Sequence, residues 1–136
     1  MANALYELGR QKFLEGSINY LTDSIKVALV RSALYTANMA TDEFFSVIPG
    51  PAVTAISNPF ASKTSTGGVA DAADITFSSV SGSSSDLLVI FKDTGATSTS
   101  PLLALIDTAT SGLPIVPSGG DIVLEWSSGL SKIFKI

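Results

Sequence analysis

The stretch Ser85-Asp86-Leu87-Leu88-Val89-Ile90-Phe91-Lys92-Asp93 decides how the chain is read. An unbroken apolar run, Leu87 to Phe91, is closed on both sides by polar residues. The run is too short to cross a bilayer and is most easily buried as a strand covered on both faces. A second run of the same form follows, Pro101-Leu102-Leu103-Ala104-Leu105-Ile106-Asp107. Between them lies Thr94-Gly95-Ala96-Thr97-Ser98-Thr99-Ser100, a polar loop without helical pattern. A parallel crossover needs a dozen or more residues, so strands joined this closely should pair antiparallel.

Working outward, Ile25 to Arg31 reads as a strand with Ile25, Val27 and Leu29 on one side and Lys26, Ala28 and Val30 on the other. Ala52 to Ile56 is rich in β-branched residues. Asp74 to Val80 places Ile75 and Phe77 inward, and Asp121 to Trp126 does the same for Ile122, Leu124 and Trp126. Shorter strands are expected at Ile18 to Tyr20, Phe60 to Thr64 and Ser131 to Ile136. Leu113 to Pro117 must be extended, because proline excludes helix. Gly, Pro and Ser turns separate these segments. The pattern predicts a mainly β chain, an antiparallel β-sandwich in one domain over 1–136. Its expected core is Val27, Leu29, Ile75, Phe77, Val89, Phe91, Leu103, Leu105, Leu124 and Trp126.

Two helices are expected. Ala2 to Glu15 carries an apolar face, with Asn3 as cap and Gly16 just past the end. Gly9 weakens it by about 1 kcal/mol relative to alanine. Segment 1–16 either docks on the domain's own sheet or serves as a helical arm reaching a neighbouring subunit. Thr41 to Ile48 should form a short second helix, capped by Thr41 and stopped by Pro49-Gly50-Pro51. Ser32 to Ala40 reads as loop, and Thr66 to Ala73 as a long Gly/Ala-rich connection.

Composition narrows the function. The chain has 136 residues, 46% hydrophobic and only 15% charged, with mean hydropathy +0.41. So few charges on a small domain favour a subunit of an assembly over a free monomer. A net charge of −4 argues against nucleic acid as a partner. No segment has the length of a membrane helix, and Glu7 and Arg10 stand where a secretory signal needs apolar residues. The sequence contains neither Cys nor His. That removes thiolate and imidazole metal sites and the Ser-His-Asp arrangement. The acids Asp71, Asp74, Asp86, Asp93, Asp107 and Asp121 lack calcium-loop spacing and read as turn formers at strand ends. Trp126 suits a core better than a sugar platform. The expectation is a protein without enzymatic activity, catalytic residues, metal or cofactor.

Several segments resemble a family of small tailed-bacteriophage virion proteins. They are Met1-Ala2-Asn3-Ala4-Leu5-Tyr6 with Gly9-Arg10 and Phe13-Leu14, Ile25 to Val30, Gly68 to Phe77, and Lys92-Asp93-Thr94-Gly95 followed by Thr99-Ser100-Pro101-Leu102. Gly112-Leu113-Pro114, Gly119-Gly120-Asp121-Ile122 and Lys132-Ile133-Phe134-Lys135 complete the likeness, in order and nearly end to end. The resemblance implies a capsid cement, or decoration, protein with a jelly-roll-like sandwich, bound to the major capsid protein on the outer surface of the capsid. It brings no catalytic residues. A head–tail adaptor or tail component and a carbohydrate-binding surface module are the alternatives.

A sandwich hides one face of each strand, yet two strands here are apolar on both. The extra face therefore needs a second copy in a dimer or trimer, the N-terminal helix, or the capsid. The expected contact residues are Leu5, Tyr6, Phe13, Phe44, Phe45 and Phe60.

Overall fold

The computed structural model describes residues 4–78, 80, 85–106, 119–124 and 133–135. The chain is mainly β, with one short helix and antiparallel sheets. Its centre is the strand pair expected from the sequence: β6 (Leu87–Lys92) runs antiparallel to β7 (Leu102–Ile106). β2 (Ile25–Val30) lies on the other side of β6, and β3 (Val53–Ile56) pairs with β2 as one edge. The opposite edge is β1 (Ala4–Leu5), set against Leu105 and Ala104 of β7. The order β1-β7-β6-β2-β3 makes a five-stranded antiparallel sheet. Two short ladders accompany it: β4 (Val69–Ala70) with β9 (Phe134–Lys135), and β5 (Ile75–Phe77) with β8 (Ile122–Leu124).

Both faces of the large sheet are buried. On one, Ile25, Val27, Leu29, Leu88, Ile90 and Leu103 pack with Ile75 and Phe77 of β5, Ala70 of β4 and the neighbouring Phe60, Val80 and Ile133. On the other, Ala28, Val30, Val89, Phe91, Leu102 and Leu105 pack with Tyr6, Tyr35, Phe45, Ile48 and Ala52. The second cover is the chain's own strap, residues 31–52. This corrects the expectation that a second copy or the capsid must hide that face; the N-terminal segment, the third alternative, contributes Tyr6 to the cover. Phe45 lies on Phe91 with ring centroids 4.3 Å apart.

All eight expected core residues whose side chains are described are buried, but they do not share one face. Val89, Phe91 and Leu105 lie under the strap, while Val27, Leu29, Ile75, Phe77 and Leu103 lie opposite. Paired residues on adjacent strands share a face, and Val27 faces Ile90 rather than Val89 across the ladder. In β7 a bulge inserts Leu103 between the partners of Ile90 and Phe91, so Leu103 and Ala104 both point to the first face. The side chain of Leu124, and Trp126 entirely, lie outside the described residues.

The helix is shorter than expected. α1 spans Glu7–Leu14, because Ala4 and Leu5 are drawn into the β7 ladder first. Its cap position is Tyr6, without a side-chain cap. The C-terminus matches expectation: Gly16 is left-handed at φ +78. Its N–H bonds the Phe13 carbonyl at 3.2 Å while Ser17 N–H bonds the Lys12 carbonyl at 2.9 Å, which satisfies those two carbonyls of the last turn. Gly9 is buried where α1 crosses β7. A Cβ there would sit 2.3 Å from the Leu102 carbonyl oxygen. The residue that weakened the helix in the sequence is what lets it approach the sheet.

Four further segments differ. Ile18 to Tyr20 is not a strand but the approach to a turn, with Ile18 and Tyr20 entering the core and Asn19 exposed. The helix expected from Thr41 to Ile48 is reduced to a single 3₁₀ turn at Phe45–Val47, because Phe45 and Ile48 are committed to the sheet below. Phe60 to Thr64 contributes one bridge, Thr64 to Asp71, instead of an edge strand. The polar loop after β6 contains a 3₁₀ turn, Thr97–Thr99. The expected extended segment Leu113 to Pro117 lies outside the described residues.

Candidate interaction surface

The six residues expected to form an interface separate into two groups. Tyr6, Phe45 and Phe60 are buried within the chain's own core and offer no surface, which withdraws them from the set. Their aromatic size suits a contact, but the sheet uses it first. Leu5 and Phe13 are half-buried against the core, and Phe44 is half-buried with the Lys12 ammonium 5.2 Å from its ring centroid.

The exposed apolar residues are elsewhere, and sequence reasoning did not single them out. Leu14 in the last turn of α1 is 87% exposed, and Leu21 in the following turn 48%. Leu21 lines an open groove of about 410 Å³ between the end of α1, the 18–21 turn and the 65–70 segment. Phe13, Ile18, Tyr20, Leu21 and Ala70 supply its apolar lining, and none of its described lining residues is charged. The signal that points to Leu14 is its position off the helix face that Gly9 and Phe13 share at i and i+4, which becomes informative once the buried face is known.

Three ion pairs brace the surroundings rather than form a reactive centre. Lys12 pairs with Glu43 at 2.9 Å, Lys26 with Asp93 at 2.6 Å and Lys92 with Asp23 at 3.1 Å. Lys92 also donates to the Ser17 carbonyl at 2.9 Å, and Lys63 donates to the Asp23 carbonyl from beside the Tyr20 ring. The 17–23 turn that bounds the groove is thus pinned by lysines from two other segments. Desolvation lowers the Lys63 pKa, although Asp23 nearby opposes the shift. The bond to Lys26 and the N–H of Gly95 hold Asp93 below the usual carboxylate range.

Asp93 shows the turn-forming role expected of the acids, accepting from Gly95 N–H at 2.9 Å, whereas Asp86 ties together two segments far apart in sequence. Asp86 accepts bonds from both the N–H of Ser32, at 2.8 Å, and the Ser32 hydroxyl. Partial burial pushes its pKa up, but these bonds and its own backbone N–H hold it below the usual range. Among the described residues no group of three or more His, Cys, Asp or Glu could hold a metal ion, and no helix is long and apolar enough to cross a membrane. The buried serines are engaged: Ser57 accepts from Val27 N–H at 3.0 Å, Ser85 donates to Thr54 at 2.6 Å, and Ser100 donates to the Ala96 carbonyl at 2.7 Å.

A further polar set under the strap is Tyr6, Tyr35 and Asp42. Tyr35 donates to Asp42 Oδ2 at 2.7 Å, and the same oxygen accepts from Asn38 N–H at 2.9 Å. With the Tyr35 proton committed, the Tyr6 hydroxyl donates to Tyr35 oxygen across 2.8 Å. Burial, above all, raises the pKa of both phenols beyond the ordinary tyrosine value. No known family and no curated protein matches the chain.

Proposed function

We propose that the protein is a non-enzymatic structural component of a phage virion, binding the outer surface of the capsid and stabilising contacts between major capsid subunits. The observation that carries this reading is the groove at the end of α1, free of charge in its described lining, with Leu21 exposed in that lining and Leu14 exposed in the last turn of the helix. Apolar surface of this kind on a charge-poor domain is suited to protein contact. The low charged fraction and the resemblance across most of the chain support the same reading. A jelly-roll-like sandwich is the finer fold proposed, with the five-stranded sheet as one layer and the β5–β8 and β4–β9 ladders facing it across a shared core. A standard interface buries about 800 Å² per partner, an area a domain this size can supply.

The test uses particles lacking the protein. Adding the intact chain should restore many copies over the head and raise the particles' heat resistance. The double variant Leu14→Glu, Leu21→Glu, verified as folded by circular dichroism, should bind weakly. Undiminished binding by that variant would remove this surface from the mechanism. Intact protein found as a ring at one vertex, with none over the head, would replace the cement reading with a head–tail adaptor.

A further inference from the structure

The strap over 31–52 and the N-terminal segment 4–16 touch at a series of points. The Tyr6 hydroxyl donates to Tyr35, which is itself held by Asp42. Glu7 N–H bonds the Met39 carbonyl at 2.9 Å. Lys12 pairs with Glu43 and stands over Phe44. Both segments also bind the same short piece of β7. Tyr6 N–H bonds the Leu103 carbonyl and Leu102 N–H bonds the Glu43 carbonyl, each at 2.9 Å. Phe45 N–H bonds Ser100, just ahead of β7, at 2.8 Å.

From this arrangement we infer that the N-terminal segment is the latch of the strap, and that the two open together as one cooperative unit with the Tyr35 hydroxyl as their shared pin. Local opening in proteins occurs in contiguous units whose members share one opening free energy. Here the sharing has a physical cause. If the strap leaves alone, Tyr6 loses its buried acceptor, and Glu7 N–H and Leu102 N–H lose theirs. If the N-terminal segment leaves alone, the Tyr35–Asp42 bond loses its cover and Glu43 its cation. Each partial opening strands polar groups that the joint opening exposes to water. The joint opening uncovers the sheet face carrying Val30, Val89, Phe91 and Leu105. The latch therefore governs access to this buried face of the sheet.

Native-state hydrogen exchange on the full chain tests this. The amides of Tyr6, Glu7, Phe45 and Leu102 should exchange through one opening, with equal protection. Tyr35→Phe removes the bond to the Asp42 carboxylate and should speed all four by one common factor, roughly ten- to hundredfold for a lost charged hydrogen bond. The amides of Ser57 and Phe60, bonded to the Val27 and Ile25 carbonyls away from the latch, should keep their rates. Glu43→Gln, which breaks the half-exposed ion pair at the other end, should speed the same four amides by a smaller common factor. It answers the question if Tyr35→Phe does not fold. Acceleration confined to Phe45 and Leu102, with Tyr6 and Glu7 unchanged in either variant, would overturn the inference.

Discussion

Replacing Gly9 by alanine separates what the helix wants from what the fold allows. In an isolated helix the change is favourable by about 1 kcal/mol. In the folded chain the new methyl would lie 2.3 Å from the Leu102 carbonyl oxygen and 3.3 Å from the Leu103 Cα. The first distance falls short of ordinary van der Waals contact by roughly 1 Å. The obstacle is backbone within the β7 ladder, not the end of a flexible side chain, so α1 has to move. Moving it strains the bonds from Tyr6 N–H to Leu103 and from Glu7 N–H to Met39. Overpacking of this kind costs about 1–3 kcal/mol, and one weakened hydrogen bond adds about 1 kcal/mol. After the propensity gain, Gly9→Ala should be destabilising by about 2 kcal/mol, lowering Tm by roughly 8 °C for a domain of this size. Urea and thermal unfolding followed by circular dichroism give the answer, with Leu14→Ala as the exposed-position control that should change little. A Gly9→Ala protein as stable as the parent, or more so, would refute the close approach of α1 to β7.

Three further outcomes are expected. Phe77→Ala, at a buried site on β5, should cost about 3–5 kcal/mol in urea unfolding, and a loss under about 1 kcal/mol would place Phe77 on the surface. Burial raises the folded-state pKa of Tyr6, Tyr20 and Tyr35 above the unfolded value near 10, so their stabilisation is complete below about pH 10 and is lost as pH rises above it; unfolding and tyrosinate absorbance should therefore rise together in an alkaline titration, and tyrosinate appearing near pH 10 in still-folded protein would contradict this. Asp86 and Asp93 have depressed folded-state pKa values, so their contribution is present above about pH 4 and is lost as pH falls below it; Asp86→Asn should flatten the acid limb of the stability curve, and an unchanged slope would remove Asp86 from it.

The parts of the fold legible in the sequence were those fixed locally. The β6–β7 pair follows from two apolar runs and a loop too short for a crossover, and the end of α1 follows from Gly16. The helix start was illegible because Ala4 and Leu5 are as apolar as helix residues, and only the open side of β7 makes them strand. Parity misled along β6 and β7 because both faces are buried, so alternation carries no inward direction. Phe44 and Phe45 stand side by side in sequence, yet one is half-exposed and the other sealed under the strap. The candidate surface was hidden for a related reason. Leu14 looks like any other helical leucine until Gly9 is known to face the sheet.

The bulge at Leu103 also sets which changes of length the chain can absorb. Removing one residue from β6 would invert the facing of everything after the cut and drive core side chains into the wrong layer. In β7 the extra residue has already been taken out of step. Leu102 and Leu105 lie under the strap while Leu103 and Ala104 both lie on the far side. A β7 lacking Leu103 would alternate regularly from Leu102 through Ala104 to Leu105, with every remaining side chain keeping its layer. Such a deletion gives up one buried leucine and leaves the layering intact. Among descendants of this sequence, a strand shorter by one residue is most readily tolerated at Leu103.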